Sequence, residues 1–217
     1  MTQKRALLIF AIVALVAGLY LVVDKYMWVP GNAVKNAPMI TTNVMHYIPQ
    51  ANALPDTTES GSCFTTSIAA PYRADAWRCT VGNEISDPCF QISGSKDLLC
   101  EPDPADTSTP SGFVLKLTGP LPKPEVSTST SNQGWMVELS DETICTPFTG
   151  TLPFSVEGDV ANYSCNSKLP VEGLLFNGLD SSTTPWTAEA GMLSTSTISY
   201  PPRLISSTTV QIKNVWQ

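Results

Sequence analysis

The chain has 217 residues, and its 12 Lys and Arg against 19 Asp and Glu give a net charge of −7. An acidic surface disfavours nucleic acid and anionic membranes as partners, and it tolerates cations, basic proteins or neutral polymers such as glycans. The 18 prolines and 13 glycines favour short strands and many turns over long helices.

The first predicted element is the apolar run Ala6–Val23, which contains no charged residue. As an α-helix it is about 27 Å long, close to the thickness of a bilayer's hydrocarbon core. Lys4 and Arg5 precede the run, and positive residues favour the cytoplasmic side. We therefore predict a cytoplasmic N-terminus at residues 1–5, a single transmembrane anchor with an interfacial outer end at residues 6–28, and a C-terminal part outside the cytoplasm.

A cleaved signal peptide is the alternative interpretation of this run. The apolar region of a signal peptide is usually shorter and ends in a site of small residues. Here the run ends in Tyr20, Leu21, Val22 and Val23, which are too bulky for such a site. The uncleaved anchor is therefore favoured, and both interpretations export the rest of the chain.

Residues 29–60 are rich in Pro, Thr and Asn, and this composition predicts an extended stalk. The single histidine of the chain, His46, lies in the stalk. Acid–base and nucleophilic catalysis commonly use histidine, so its position before the domain argues against such a site. We predict that residues 61–217 form the extracytoplasmic domain.

All six cysteines follow the anchor, where an oxidising environment favours disulfides; they are Cys63, Cys79, Cys89, Cys100, Cys145 and Cys165. Six cysteines allow 15 pairings, and sequence alone does not choose among them. Their grouping favours the sequential pairs Cys63–Cys79, Cys89–Cys100 and Cys145–Cys165. A zinc site is the competing interpretation, but its usual C-x-x-C spacing is missing.

The cysteine-rich stretch Gly61–Pro104 is predicted to be mainly irregular, with a strand at Phe64–Ala69 and one helical turn that starts at Asp75. Gly82-Asn83 and Asp87-Pro88 are predicted turns.

Alternating apolar residues then predict strands, which fall on 113–118, 135–139, 143–148, the two sides of a hairpin around 157–159, 186–188, 196–200 and 208–215. Together these features predict a mainly β fold, a disulfide-stabilised β-sandwich or small barrel of about seven to nine strands.

Acidic residues are the remaining candidates for chemistry. A carboxylate pair can cleave glycosides without histidine, and Asp75 and Asp87 are notable because they lie among the cysteines. A structural role is favoured for both: Asp75 would cap a turn or pair with Arg73 or Arg78, and Asp87 would set an Asx turn before Pro88.

Two further groups of residues could bind ligands. Glu101, Asp103 and Asp106 could offer oxygen ligands to calcium, but they lack the order of an EF-hand loop. The tryptophans of the predicted domain could form a glycan platform, although a core position is favoured; they are Trp77, Trp135, Trp186 and Trp216. We predict no catalytic residue, no metal and no cofactor.

The stretch 61–90 reads GSCFTTSIAAPYRADAWRCTVGNEISDPCF. It resembles a pattern of bacterial exported proteins in which a Cys precedes Asp-Ala-aromatic-Arg-Cys and then Asp-Pro-Cys-Phe. A cysteine at Cys100, LKLTGPLP, WMVEL, Tyr-Ser-Cys at 163–165 and Trp-Thr at 186–187 follow in a similar order. The resemblance covers the chain from Gly61 onward, implies a bacterial envelope protein and carries no known activity.

The sequence favours a non-enzymatic function: binding or structural interaction at the cell envelope, with the membrane as one partner and an envelope protein or glycan as the other. An exported hydrolase that uses carboxylates on envelope polymers is the first alternative. A pilin-like filament subunit is the second, although no Gly precedes the apolar run and no Glu lies five residues into it.

The predicted export is tested by the state of the thiols. Protein isolated from its host is denatured and treated with maleimide-polyethylene glycol. Before reduction the reagent should modify none of the 6 cysteines, and after reduction it should modify all of them. Free thiols in a domain that lies in the cytosol would contradict the prediction.

Overall fold

The structure is a computed structural model that describes residues 41–125, 133–166, 173–194 and 201–217. The predicted anchor and the predicted stalk up to residue 40 lie outside these ranges. Within them, no helix has the length and apolarity that a membrane crossing requires. The described residues belong to one unit, Ile40–Gln217, and its regular structure is entirely β, as the sequence predicted.

Twelve strands occur in this part of the chain: β1 (Asn43–Met45), β2 (Thr58–Thr66), β3 (Ala76–Val81), β4 (Glu84–Gln91), β5 (Leu98–Cys100), β6 (Phe113–Leu117), β7 (Met136–Leu139), β8 (Ile144–Pro147), β9 (Ala161–Asn166), β10 (Gly173–Asp180), β11 (Thr187–Leu193) and β12 (Leu204–Trp216). This number exceeds the predicted seven to nine.

Strands β2 to β6 form the first barrel. They pair in chain order as antiparallel neighbours, and β6 closes the ring by pairing parallel to β2, with Thr58 opposite Val114 and Gly61 opposite Leu117. The barrel interior holds Trp77, two disulfides and aliphatic residues from β5 and β6. Burial of these side chains removes apolar surface from water, which is the main force that favours the closed ring.

The first barrel corrects the prediction for Gly61–Pro104, which is ordered β-structure and not irregular. The helical turn predicted at Asp75 is also wrong, because β3 starts at the next residue. In β3 the residues with odd numbers, Trp77 and Cys79, are buried in the barrel and alternate with Arg78. Arg78 and the nearby Asp87-Pro88 made this alternation hard to recognise in the sequence. The strand that closes the barrel, β6, also lies outside Gly61–Pro104.

Strands β7 to β12 form the second barrel. Each strand pairs antiparallel with the next, and β12 also pairs with β7, while β1 adds to β12 in parallel. Its core contains Val137, Leu175, Ile212 and Val215 beside one disulfide. The strands predicted near 135–139 and 143–148, the hairpin around 157–159 and the C-terminal strand are confirmed. β10 was not predicted, and the strand predicted at 196–200 lies outside the described residues.

The three disulfides are Cys63–Cys79, Cys89–Cys100 and Cys145–Cys165. In every pair the two cysteines are directly opposite each other on neighbouring antiparallel strands. This is the sequential pairing that their grouping along the chain favoured. Each bond closes a short loop, so each reduces the conformational freedom of the unfolded chain.

An aromatic cluster joins the two barrels. Phe90 from the first barrel lies 4.9 Å from Trp135, measured between ring centroids, and Tyr47 packs edge-on against both rings. Trp216 belongs to the same buried cluster. The prediction that tryptophans are core residues is confirmed for Trp77, Trp135 and Trp216, which are buried, and Trp186 packs at the edge of the second core.

Residues 41–60 of the predicted stalk pack on the folded unit. The Tyr47 N–H donates to the Gln217 main-chain oxygen at 2.9 Å, and the Gln217 N–H donates to the Met45 oxygen at 2.8 Å. Together with β1, these bonds add residues 43–47 to the second barrel, whereas residues 58–60 belong to β2 of the first barrel. The folded unit therefore begins earlier than the predicted boundary at residue 61.

Arg73 connects the pieces at this junction. Its side chain is 2% exposed, and its guanidinium forms two hydrogen bonds with Asp75, at 2.8 and 2.5 Å. It also donates to the main-chain oxygens of Tyr47 and Gln217 and lies 4.5 Å from the centroid of the Phe90 ring. One buried cation thus connects a loop of the first barrel to Tyr47, which follows β1, and to Gln217, which follows β12.

We expect Arg73→Ala to lower the free energy of unfolding by about 2–4 kcal/mol, because two main-chain oxygens lose a donor and Phe90 loses a cation. Urea denaturation followed by tryptophan fluorescence measures this. Arg203→Ala is the matched control, since its ion pair with Glu157 is exposed and should contribute less than about 1 kcal/mol. Equal losses in both variants would contradict the role of Arg73.

Candidate functional site

A cleft of about 380 Å³ opens where the two barrels meet. We call it the inter-barrel cleft. One wall comes from the first barrel and its loops, with Ile85, Asp87, Glu101 and Asp103. The other wall comes from the second barrel and the segment that follows β8, with Trp135, Ile144, Thr146, Thr149 and Asn166. The site therefore combines residues that are far apart in the sequence.

Asp87 is the most deeply buried acid of the cleft, with a side chain that is 1% exposed. Its carboxylate accepts hydrogen bonds from the Ser67 hydroxyl, the Ile68 N–H at 3.0 Å and the Ala69 N–H at 3.4 Å. Arg78 lies 3.7 Å away. Burial raises the pKa of Asp87 above its usual range, and these hydrogen bonds and the Arg78 charge oppose the increase without reversing it.

The bonds of Asp87 are structural. They hold the segment that follows β2, in which the Ala70 N–H donates to the Ser67 hydroxyl at 2.8 Å. The predicted structural role of Asp87 is thus supported, but the predicted Asx turn is wrong. Asp87 lies inside β4, and its partners are on another segment of the barrel and not on its own turn.

Arg78 links the two walls of the cleft. From β3 its guanidinium reaches Asp87 within the first barrel, and it donates to the Thr149 main-chain oxygen at 2.5 Å. Thr149 follows β8 of the second barrel. Because one cation bonds to both sides, it fixes the spacing between the walls.

The carboxylates at the rim are also engaged in local bonds. Glu101 accepts from the Ser86 hydroxyl at 2.8 Å, and Asp103 accepts from the Ala105 and Asp106 N–H groups at 3.0 and 3.4 Å. Asp106, which is not among the residues that line the cleft, caps its own turn by accepting from Ser108. The described residues contain no group of three acidic, His or Cys side chains arranged to hold a metal.

The two acids that the sequence singled out are not brought together. Asp75 is paired with Arg73, as one of the structural interpretations predicted, and it is not among the residues that line the inter-barrel cleft. Its pKa is lowered: burial acts to raise it, but the hydrogen bonds and charge of Arg73 outweigh burial. His46 is exposed and lies outside the cleft.

Aliphatic side chains remain exposed along the cleft. Ile85 is 53% exposed and lines it. A second recess of about 270 Å³ shares Ala69 and Pro147 with the cleft, and it contains the exposed Ile68 and Leu152. The two recesses therefore adjoin each other at Ala69 and Pro147, and each has a mixed apolar and polar lining.

Trp135 adds a polar group to this region. Its indole N–H is buried and has no hydrogen-bond acceptor in the described part of the chain. An unpaired buried donor costs free energy, so this N–H lowers the stability of the fold.

The sequence did not predict the inter-barrel cleft. Ile85, Thr146 and Asn166 carry no motif, and only the packing of one barrel on the other places them together. Glu101 and Asp103 were noted as calcium ligands, a different role. No local sequence pattern could have predicted this site, because its two walls belong to two different β-barrels.

Comparisons with known proteins give no match to this chain. No protein-family model, no curated protein and no solved structure matches it. The resemblance to bacterial exported proteins therefore stays a prediction from the sequence.

Asp87→Asn tests the pKa of the buried carboxyl. The folded chain holds the Asp87 proton more tightly than the unfolded chain, because the folded pKa is raised. The difference in the free energy of unfolding, wild type minus variant, should therefore decrease as the pH rises. The decrease should begin near the pKa of an unfolded aspartate, about 4, and end above the raised pKa of the folded protein. Urea titrations at a series of pH values measure this difference, and a difference that grows with pH would contradict the direction.

Proposed function

We propose that the folded unit is a non-enzymatic binding or structural-interaction module at a bacterial cell envelope. The predicted helix at residues 6–28 anchors it in the membrane, and the module lies outside the cytoplasm. The inter-barrel cleft binds an envelope protein or a glycan. Nucleic acid is not a partner, because the chain has a net charge of −7 that repels phosphates.

One observation carries this proposal: the buried acid of the cleft is engaged while aliphatic side chains on its rim are exposed. The Asp87 oxygens accept hydrogen bonds from three groups of the chain, which leaves the carboxylate poorly placed to attack a substrate. Ile85, which lines the cleft, is 53% exposed, and Ile68, which lines the adjoining recess, is 50% exposed. Exposed apolar residues in a concave surface with polar neighbours are typical of a recognition surface.

The location rests on two supports. Three disulfides require an oxidising environment to form and persist. The charge-free run Ala6–Val23 supplies the length of a membrane anchor. Together they favour display on the outer side of a membrane over secretion or a cytoplasmic location.

An exported hydrolase is the second candidate. Two features favour it. Asp87, Glu101 and Asp103 line one cleft, and the pKa of Asp87 is raised, as expected of a general acid. Release of reducing ends from envelope glycans, lost in Glu101→Gln and Asp87→Asn, would establish this function in place of binding.

Photo-crosslinking tests the binding surface in cells. A benzoylphenylalanine at Ile85 should yield a discrete crosslinked product with an envelope protein or glycan, because Ile85 lines the cleft. The same residue at Val44 is the control, since Val44 is similarly exposed at 46% and lies on β1 outside the cleft. Equal labelling at both positions, or none at Ile85, would overturn the assignment of the cleft.

A further inference from the structure

The charged side chains that line the inter-barrel cleft are all acidic. Among the described residues its lining includes Asp87, Glu101 and Asp103 but no Lys, Arg or His. Arg78 lies 3.7 Å from Asp87 and also donates to the Thr149 oxygen, so its charge offsets that of Asp87. The negative charge that the cleft presents to a ligand therefore belongs to Glu101 and Asp103.

Glu101 and Asp103 bond to uncharged groups of the chain. One oxygen of Glu101 accepts from the Ser86 hydroxyl at 2.8 Å, and one oxygen of Asp103 accepts from the Ala105 and Asp106 N–H groups. No cation in the described part of the chain forms an ion pair with either carboxylate. Because a carboxylate has several acceptor positions, both can still bind a cationic group of a ligand.

The fold holds Glu101 in place at the rim of the cleft. The preceding residue, Cys100, is bonded to Cys89 in a disulfide, and the Glu101 N–H donates to the Pro88 oxygen at 3.3 Å. Its side chain is bonded to Ser86. A carboxylate that is fixed in this way loses little conformational freedom when a ligand binds, which favours affinity.

Exposed aliphatic side chains accompany these acids. Ile85 is 53% exposed and lines the same cleft, and Ile68 is 50% exposed in the recess that adjoins it. Lys and Arg have long aliphatic stems that pack on apolar surface while their charged ends bond to polar groups. The combination of an exposed isoleucine with acids that lack an ion pair therefore fits a basic side chain with aliphatic neighbours.

The lining of the cleft favours a protein over a glycan as the ligand. Trp135 is the only aromatic residue among its described lining residues, and it is 2% exposed. The cleft therefore offers no exposed aromatic face on which a sugar ring could stack. The two rim carboxylates would also repel an anionic polymer.

We propose that the inter-barrel cleft binds a basic segment of a second protein, in which Lys or Arg bonds to Glu101 and Asp103 and a neighbouring aliphatic side chain contacts Ile85. Such charge complementarity speeds association and excludes acidic partners. This inference rests on the proposed function, which assigns ligand binding to the cleft, and it specifies the chemistry of the ligand.

Neutral isosteres of the two rim acids test the proposal in cells. Glu101→Gln combined with Asp103→Asn removes two negative charges, while the amide oxygens can still accept from Ser86 and Ala105, so the local fold is kept. In the full chain with benzoylphenylalanine at Ile85, this double variant should reduce the yield of crosslinked product at least about threefold. Mass spectrometry of the wild-type product should identify a protein segment that contains Lys or Arg.

Asp56→Asn combined with Glu59→Gln is the matched control. Both residues are exposed and outside the cleft, and the pair makes the same change of charge, so the yield should equal that of the wild type. An undiminished yield in the cleft variant, equal losses in both variants, a glycan as the crosslinked partner, or a segment without Lys or Arg would each overturn the inference while the binding function stands. No product in the wild type would overturn the proposed binding function and this inference with it.

The dependence of binding on salt provides a second measurement. A synthetic peptide with the sequence of the crosslinked segment is titrated with the detergent-solubilised full chain, and binding is followed by fluorescence anisotropy. Raising the salt from about 0.1 M to about 1 M shortens the Debye length from about 10 Å to about 3 Å, so the affinity of the wild type should fall at least about threefold. The Glu101→Gln and Asp103→Asn double variant should show a smaller fall. An affinity of the wild type that does not change with salt would reject recognition by charge.

Discussion

The buried guanidinium of Arg73 is the contact on which the arrangement of the two barrels depends. It bonds Asp75 within the first barrel and the main-chain oxygens of Tyr47 and Gln217 at the second, and it covers the face of Phe90. A buried charge is tolerated only where such partners satisfy it. The geometry of arginine suits this task, because its rigid fork of donors can serve a carboxylate and carbonyl groups at once.

A second set of polar contacts crosses the same junction. Asp87 fixes the segment after β2, and Arg78 connects Asp87 to the Thr149 oxygen of the second barrel. The aromatic cluster around Trp135 supplies apolar burial at the junction. Apolar packing provides most of the stabilisation, whereas the directional polar bonds determine how one barrel is oriented on the other. The shape of the inter-barrel cleft follows from that orientation.

The surface that we propose for interaction is the inter-barrel cleft. The inter-barrel cleft is concave, has acids at its rim and exposes aliphatic side chains such as Ile85, which suits a ligand.

The sequence by itself determined the local features. The alternation of apolar and polar residues predicted β6, β7 and the C-terminal strand. The grouping of the cysteines favoured the correct disulfides, because each disulfide joins strands that are close in sequence, with separations of 16, 11 and 20 residues. The tertiary structure alone decided the closure of the first barrel, the packing of residues 41–60 and the composition of the cleft. Their contacts join residues such as Arg78 and Thr149, 71 apart, or Arg73 and Gln217, 144 apart. No local pattern encodes such partners, because register and packing across the whole fold select them.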